Sequence, residues 1–115
     1  MKKYLILILL ILTSFYFTCC QKNKNLETVV VKIPSAVCSE CEKNIKKILH
    51  SDLIGINEVE IDLEQKIATI RYNPDQTNVE TIEITITRAG YDANDRKRDP
   101  LAYDDLPECC KQHDN

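Results

Sequence analysis

The chain has no tryptophan and only two glycines among its 115 residues. That leaves no glycine-rich loop able to cradle a phosphate. A basic stripe is also missing. Fifteen Lys and Arg stand against 18 Asp and Glu, a formal charge of −3, so nucleic acid is not an expected partner. The two histidines, His50 and His113, do not pair at any metal-ligand spacing. A chain of this length has room for one small domain and little else.

What the chain does have is cysteine, six of them in three close pairs: Cys19-Cys20, Cys38-Cys41 and Cys109-Cys110. Pairs at such spacing suggest thiol chemistry more than scattered core cysteines would.

The N-terminus reads as an export signal. Met1-Lys2-Lys3 is basic, Leu5 to Leu12 is unbroken aliphatic, and no Ala-x-Ala cleavage site follows. The segment ends instead on Cys19-Cys20 and the polar run Gln21 to Asn25. This arrangement resembles a bacterial lipoprotein signal, in which Cys19 or Cys20 would become the lipid-bearing mature terminus. The alternative is an uncleaved apolar anchor, although Tyr4 to Phe17 falls short of the roughly 20 residues that span a bilayer. Either way, the expected location is extracytoplasmic: the bacterial cell envelope or periplasm, tethered to a membrane. Without residues 1–19 the chain carries 13 basic and 18 acidic side chains, a formal charge of −5.

Beyond the tether, Thr28 to Ile33 is short and β-branched, which favours a strand ended by Pro34 and Ser35. From Ser39 onward Cys41, Ile45, Ile48 and Leu49 form a helical stripe, with Glu42, Lys43, Lys46 and Lys47 on the other faces. Gly55 breaks it. Val59, Ile61 and Leu63 alternate with acidic residues, and Ala68, Ile70 and Tyr72 repeat the period of two after a turn at Glu64-Gln65-Lys66, predicting a hairpin. Asn78 to Ala89 fits a strand through Ile82, Ile84 and Ile86, and a helix through Val79, Ile82, Ile86 and Ala89. Tyr91 to Asn94 reads as a last short extended piece. With a helix at 78–89 the order is βαββαβ, an α+β, ferredoxin-like arrangement: an antiparallel sheet with two helices on one face.

Cys38 and Cys41 sit where the first strand hands over to the first helix. That position suits a metal clamp, a redox couple or two structural cysteines.

The stretch Cys38-Ser39-Glu40-Cys41, the run GINEVEIDLEQKIATIRYNPDQTNVETI and the terminal AGYDA together resemble the heavy-metal-associated domain. That family includes copper chaperones, N-terminal modules of copper and zinc ATPases, and periplasmic mercury-binding proteins. The resemblance covers residues 28–94 and turns 78–89 toward helix. It leaves 1–19 as the export signal, 20–27 as a polar tether and 95–115 as a tail containing cysteine and histidine. One departure stands out. Where the family usually carries Gly-Met before the loop, this chain has Ser35-Ala36. The resemblance implies Cys38 and Cys41 as the primary metal ligands. It also implies that Tyr91 shields the site, a position a core aromatic would occupy equally well.

Two thiolates at a helix start suit soft ions. Exposed N–H groups and the positive dipole end favour deprotonation, and Cu(I) or Hg(II) accepts two-coordinate geometry. Zn(II) wants four ligands and would need help from groups such as Glu40 or Glu42. The expected function is therefore capture of a soft ion, Cu(I) first and Hg(II) second, and its transfer by ligand exchange to a metal-transporting membrane protein or other thiolate acceptor. The chain would act as a monomer and not as an enzyme. The competing reading is an extracytoplasmic dithiol oxidoreductase using the same motif; no tryptophan precedes Cys38, as that reading would favour. Cys109, Cys110 and His113 form a further soft-ligand set, either accessory ligands folding back over Cys38 and Cys41 or part of a disordered acidic end. His50 reads as a cation suiting the helix C-terminus, and Arg96-Lys97-Arg98 as a solvated connector.

Overall fold

The computed structural model describes residues 1–14 and 25–111. Its first element, α1 (Lys2–Ser14), is a 13-residue helix on which Tyr4 to Ile11 are exposed. At 1.5 Å per residue it is about 20 Å long, short of a hydrocarbon core of about 30 Å. No helix among the described residues is long and apolar enough to cross a membrane.

The domain proper is built from β1 (Glu27–Lys32), α2 (Ser39–Asp52), β2 (Ile56–Asp62), β3 (Ile67–Tyr72) and α3 (Val79–Arg88). The sheet is antiparallel in the order β1-β3-β2. β3 lies at the centre, paired with β2 through the local hairpin and with β1 across the intervening α2. The hairpin turn forms as the alternation predicts: the Asp62 carboxylate accepts from the N–H groups of Glu64 and Gln65, each at 2.9 Å. Val31, Ala68, Ile70 and Val59 point inward to meet Cys41, Ile45 and Leu49 of α2 and Ile82 and Ile86 of α3 in one buried cluster. The ferredoxin-like arrangement, with both helices on one face of the sheet, is the observed fold.

Residues 78–89 resolve as a helix with its cap. The Asn78 side chain accepts from Thr81 N at 2.8 Å, supplying a partner that a helix start otherwise lacks. The last predicted strand is a correction. Residues 91–94 add no ladder to the sheet; Asn94 alone meets the edge of β1, donating its N–H to Lys32 O and accepting from Lys32 N through Oδ1, both at 2.8 Å. Asn94 turns there with φ +51, and Ala93 pairs with Arg96 instead of running on beside β1.

The chain then doubles back. Asp99 donates its N–H to Thr87 O at 2.9 Å and caps α4 (Pro100–Asp104) through its carboxylate. The Arg98 guanidinium stacks 3.6 Å from the centre of the Tyr103 ring. The α4 backbone passes directly over Gly90, and a short 3-10 turn, Glu108–Cys110, follows. Part of the expected tail is therefore folded onto the domain.

Candidate metal centre

Cys38 immediately precedes α2 and Cys41 lies in its first turn, so the i, i+3 spacing brings both sulfurs to the same end of the helix. Their Sγ atoms are 3.5 Å apart. Cys41 is fully buried against the core while Cys38 is half-exposed. The loop before them is braced from below. Ser35 Oγ accepts from Asp92 N at 2.9 Å, and Lys66, at the end of the hairpin turn, donates its ammonium to Ala36 O at 2.6 Å. Ala36 is fully buried. The Ser35-Ala36 departure thus leaves a loop anchored at two points.

The tail reaches this loop. Cys110 Sγ lies 3.6 Å from Cys38 Sγ, and the sulfurs of Cys38, Cys109 and Cys110 all fall within 4.8 Å of one another. All four cysteines among the described residues are free thiols. Cys110 is fully buried and Cys109 is exposed. His113, Cys19 and Cys20 lie outside the described residues. Tyr91 is fully buried behind the thiols, donating its hydroxyl to Cys110 Sγ at 3.7 Å and accepting from Asn44 Nδ2 at 3.2 Å. It is both a core aromatic and a wall of the thiol cluster. Glu40 and Glu42 are paired with Lys43 and Lys46 at 2.9 and 2.7 Å, so their carboxylates are engaged elsewhere on α2.

Asn44, Ser35 and Lys66 carry no signal in the sequence. Their roles appear only when distant segments meet. Asn44, one turn beyond Cys41, could have been marked as an unusual polar residue beside a thiol.

The four sulfurs are electrostatically unequal. Partial burial works against ionising Cys38, but hydrogen bonds from the Cys109 thiol, the Cys41 backbone and the Cys41 and Cys110 thiols outweigh it, and its pKa falls to about 7. Cys110 is pushed up by burial and then by the neighbouring Cys41 thiol. Cys109 is raised by its hydrogen bond to Cys38 and then by burial. Burial raises Tyr91 as well, so it stays a neutral donor. One thiolate, Cys38, therefore lies beside two thiols, Cys109 and Cys110, that are held protonated.

In reduced, metal-free protein, alkylation of Cys38 by iodoacetamide is expected to rise with a midpoint near pH 7. In urea that midpoint should move to the ordinary thiol value of about 8.5. Peptide mass spectrometry across pH reads this directly, and equal midpoints in both conditions would contradict the arrangement.

Residues 30–92 match the heavy-metal-associated domain. A copper-exporting P-type ATPase of Staphylococcus saprophyticus is 32% identical over 71 residues, which are 62% of this chain and 9% of the ATPase. The chain thus spans under a tenth of that relative's length. Among solved structures, oxidized MerP from Ralstonia metallidurans CH34 superposes with a TM-score of 0.57 at 25% identity, covering 60% of this chain and 94% of that one. The mercury-bound form of MerP, the periplasmic protein of a bacterial mercury detoxification system, superposes with a TM-score of 0.52 at 23% identity, covering 60% and 94%.

Proposed function

The chain belongs to the heavy-metal-associated domain family, and from that premise we propose that it is an exported, membrane-tethered carrier of a soft metal ion. Cu(I) is the first choice of cargo and Hg(II) the second. The observation that carries the reading is the pair of free sulfurs, Cys38 and Cys41, 3.5 Å apart at the start of α2 with Cys38 ionising near neutral pH. A thiolate already formed at neutral pH needs no base to bind a soft cation. The copper-exporting relative and the mercury-bound structural neighbour support the same class of cargo.

Delivery follows from exchange. An acceptor's thiolate bonds to the ion, a three-coordinate intermediate forms, and one bond to this chain's sulfur breaks. No substrate is chemically altered, so no enzyme activity is required. The acceptor would be a metal-transporting membrane protein or another thiolate site. Tethering would come from the apolar N-terminus, through lipid on Cys19 or Cys20 or through the segment itself.

The lowered Cys38 thiol also suits a dithiol oxidoreductase, and one experiment separates the two. Reduced full-length protein in detergent is loaded with Cu(I), mixed with a metal-free CxxC acceptor domain, and re-isolated for copper analysis. In parallel it is assayed for reduction of insulin disulfides. Copper retained against a chromogenic chelator and then moved to the acceptor, with no disulfide turnover, is the expected result. Failure to retain copper together with disulfide turnover would replace the carrier by the oxidoreductase.

A further inference from the structure

Two sulfurs suffice for a linear soft-metal site, yet the structure gathers four. Their separations weigh against a linear pair and in favour of a site with more than two sulfurs. With metal–sulfur bonds of about 2.3 Å, two ligands in line stand about 4.6 Å apart, three in a plane about 4.0 Å, and four in a tetrahedron about 3.8 Å. Cys38 Sγ sits 3.5 Å from Cys41 Sγ and 3.6 Å from Cys110 Sγ. Opening to a linear pair requires roughly 1 Å of further separation, all of which would fall to Cys38 because Cys41 is fully buried in the core. The Cys38–Cys41 and Cys38–Cys110 separations each fall only a few tenths of an ångström short of the edge of a planar three-sulfur site.

The third sulfur is held in place. Cys110 is 72 residues from Cys38 in the chain and fully buried. Its N–H donates to Pro107 O at 2.8 Å, its sulfur accepts from the Tyr91 hydroxyl, and Leu106 packs on the core just before it. Upstream, the Asp99 cap, the Arg98–Tyr103 stack and the passage over Gly90 set its path. Burying a thiol against Cys38, with a tyrosine behind it, builds a ligand position outside the elements β1 to α3.

We propose that Cys110 is a third metal ligand, so that the resting ion is held by Cys38, Cys41 and Cys110 in three-thiolate coordination, with Cys109 as the exposed sulfur at its outer edge. This rests on the reading of Cys38 and Cys41 as the clamp, and it changes how the ion leaves. Cys110 occupies the coordination position that an acceptor's thiolate must take. On delivery, the acceptor sulfur bonds to the ion, the bond to Cys110 breaks, and the released Cys110 thiolate takes a proton from solvent. No electrons change hands.

The test uses reduced full-length protein in detergent carrying one Cu(I) per chain, with sulfur neighbours counted by X-ray absorption. Three per copper are expected in the wild type, two in Cys110→Ser and three in Cys109→Ser. Cys110→Ser should surrender copper to a chelator about tenfold more readily or worse. A count of two in the wild type, with binding lost on replacing Cys38 and Cys41, overturns the third ligand and leaves the carrier reading standing. Wild-type protein that holds no copper overturns both. The wild-type count needs no variant, so misfolding of Cys110→Ser cannot blur the result.

Discussion

Replacing Cys38 and Cys41 together by serine is expected to weaken Cu(I) binding by about four orders of magnitude. The scale comes from structural four-ligand metal sites, where binding energies of about 10–16 kcal/mol divide into roughly 3 kcal/mol per ligand. Losing two ligands then costs about 6 kcal/mol, or about 10⁴ in affinity. Serine is close to cysteine in size, so the buried Cys41 site should stay filled, and far-UV circular dichroism should show the fold intact. A competition titration against a chromogenic chelator measures the loss. Retention of near wild-type affinity in the double variant would move the primary site to Cys109 and Cys110, which remain next to position 38.

Gly90→Ala is expected to be the most damaging small substitution for stability. Gly90 has φ +97, a conformation costing an L-residue about 1–2 kcal/mol. The added Cβ would also lie 2.8 Å from Tyr103 N and 2.9 Å from Ala102 C, which are backbone atoms of α4 that cannot rotate aside. Overpacking of that kind adds about 1–3 kcal/mol. Together the two effects come to about 3 kcal/mol, and the thermal midpoint should drop by about 15 °C. The clash has a cheaper outlet, which is for α4 to lift off and carry Cys110 with it. Alkylation of Cys110 in the native state should therefore rise along with the loss of stability. A variant as stable as wild type, or one in which Cys110 stays protected, would refute the close approach.

The parts of this architecture legible in the sequence are those that bury one face of one element. The β2–β3 hairpin announces itself because Val59, Ala68 and Ile70 must point inward at a period of two. α2 does so because Cys41, Ile45 and Leu49 fall on one stripe. The α3 segment was ambiguous because Ile82 and Ile86 lie four apart, a spacing that serves both a strand face and a helix face; the Asn78 cap decides it. The last of the four expected strands does not form, because extended-looking residues say nothing of Asn94 turning at positive φ and offering its side chain to β1. The closeness of Cys38 and Cys41 is legible from their local spacing, while a ligand role for them comes only from the family resemblance. The approach of Cys109 and Cys110 stays open in the sequence, because it depends on a path set by a glycine contact, a carboxylate cap and an arginine–tyrosine stack. None of these repeats with any period.

The stack of Arg98 on Tyr103, with the Asp99 cap beside it, has a consequence for competition among thiols. A sulfur held on a docked segment is present at its site at an effective concentration on the order of millimolar or more. A dilute small-molecule thiol arriving from solution competes poorly against that figure. A protein acceptor that first docks on the surface acquires a comparable effective concentration of its own, and the contest becomes even. The docked tail would in this way tell a bound partner from a wandering thiol without recognising either one chemically.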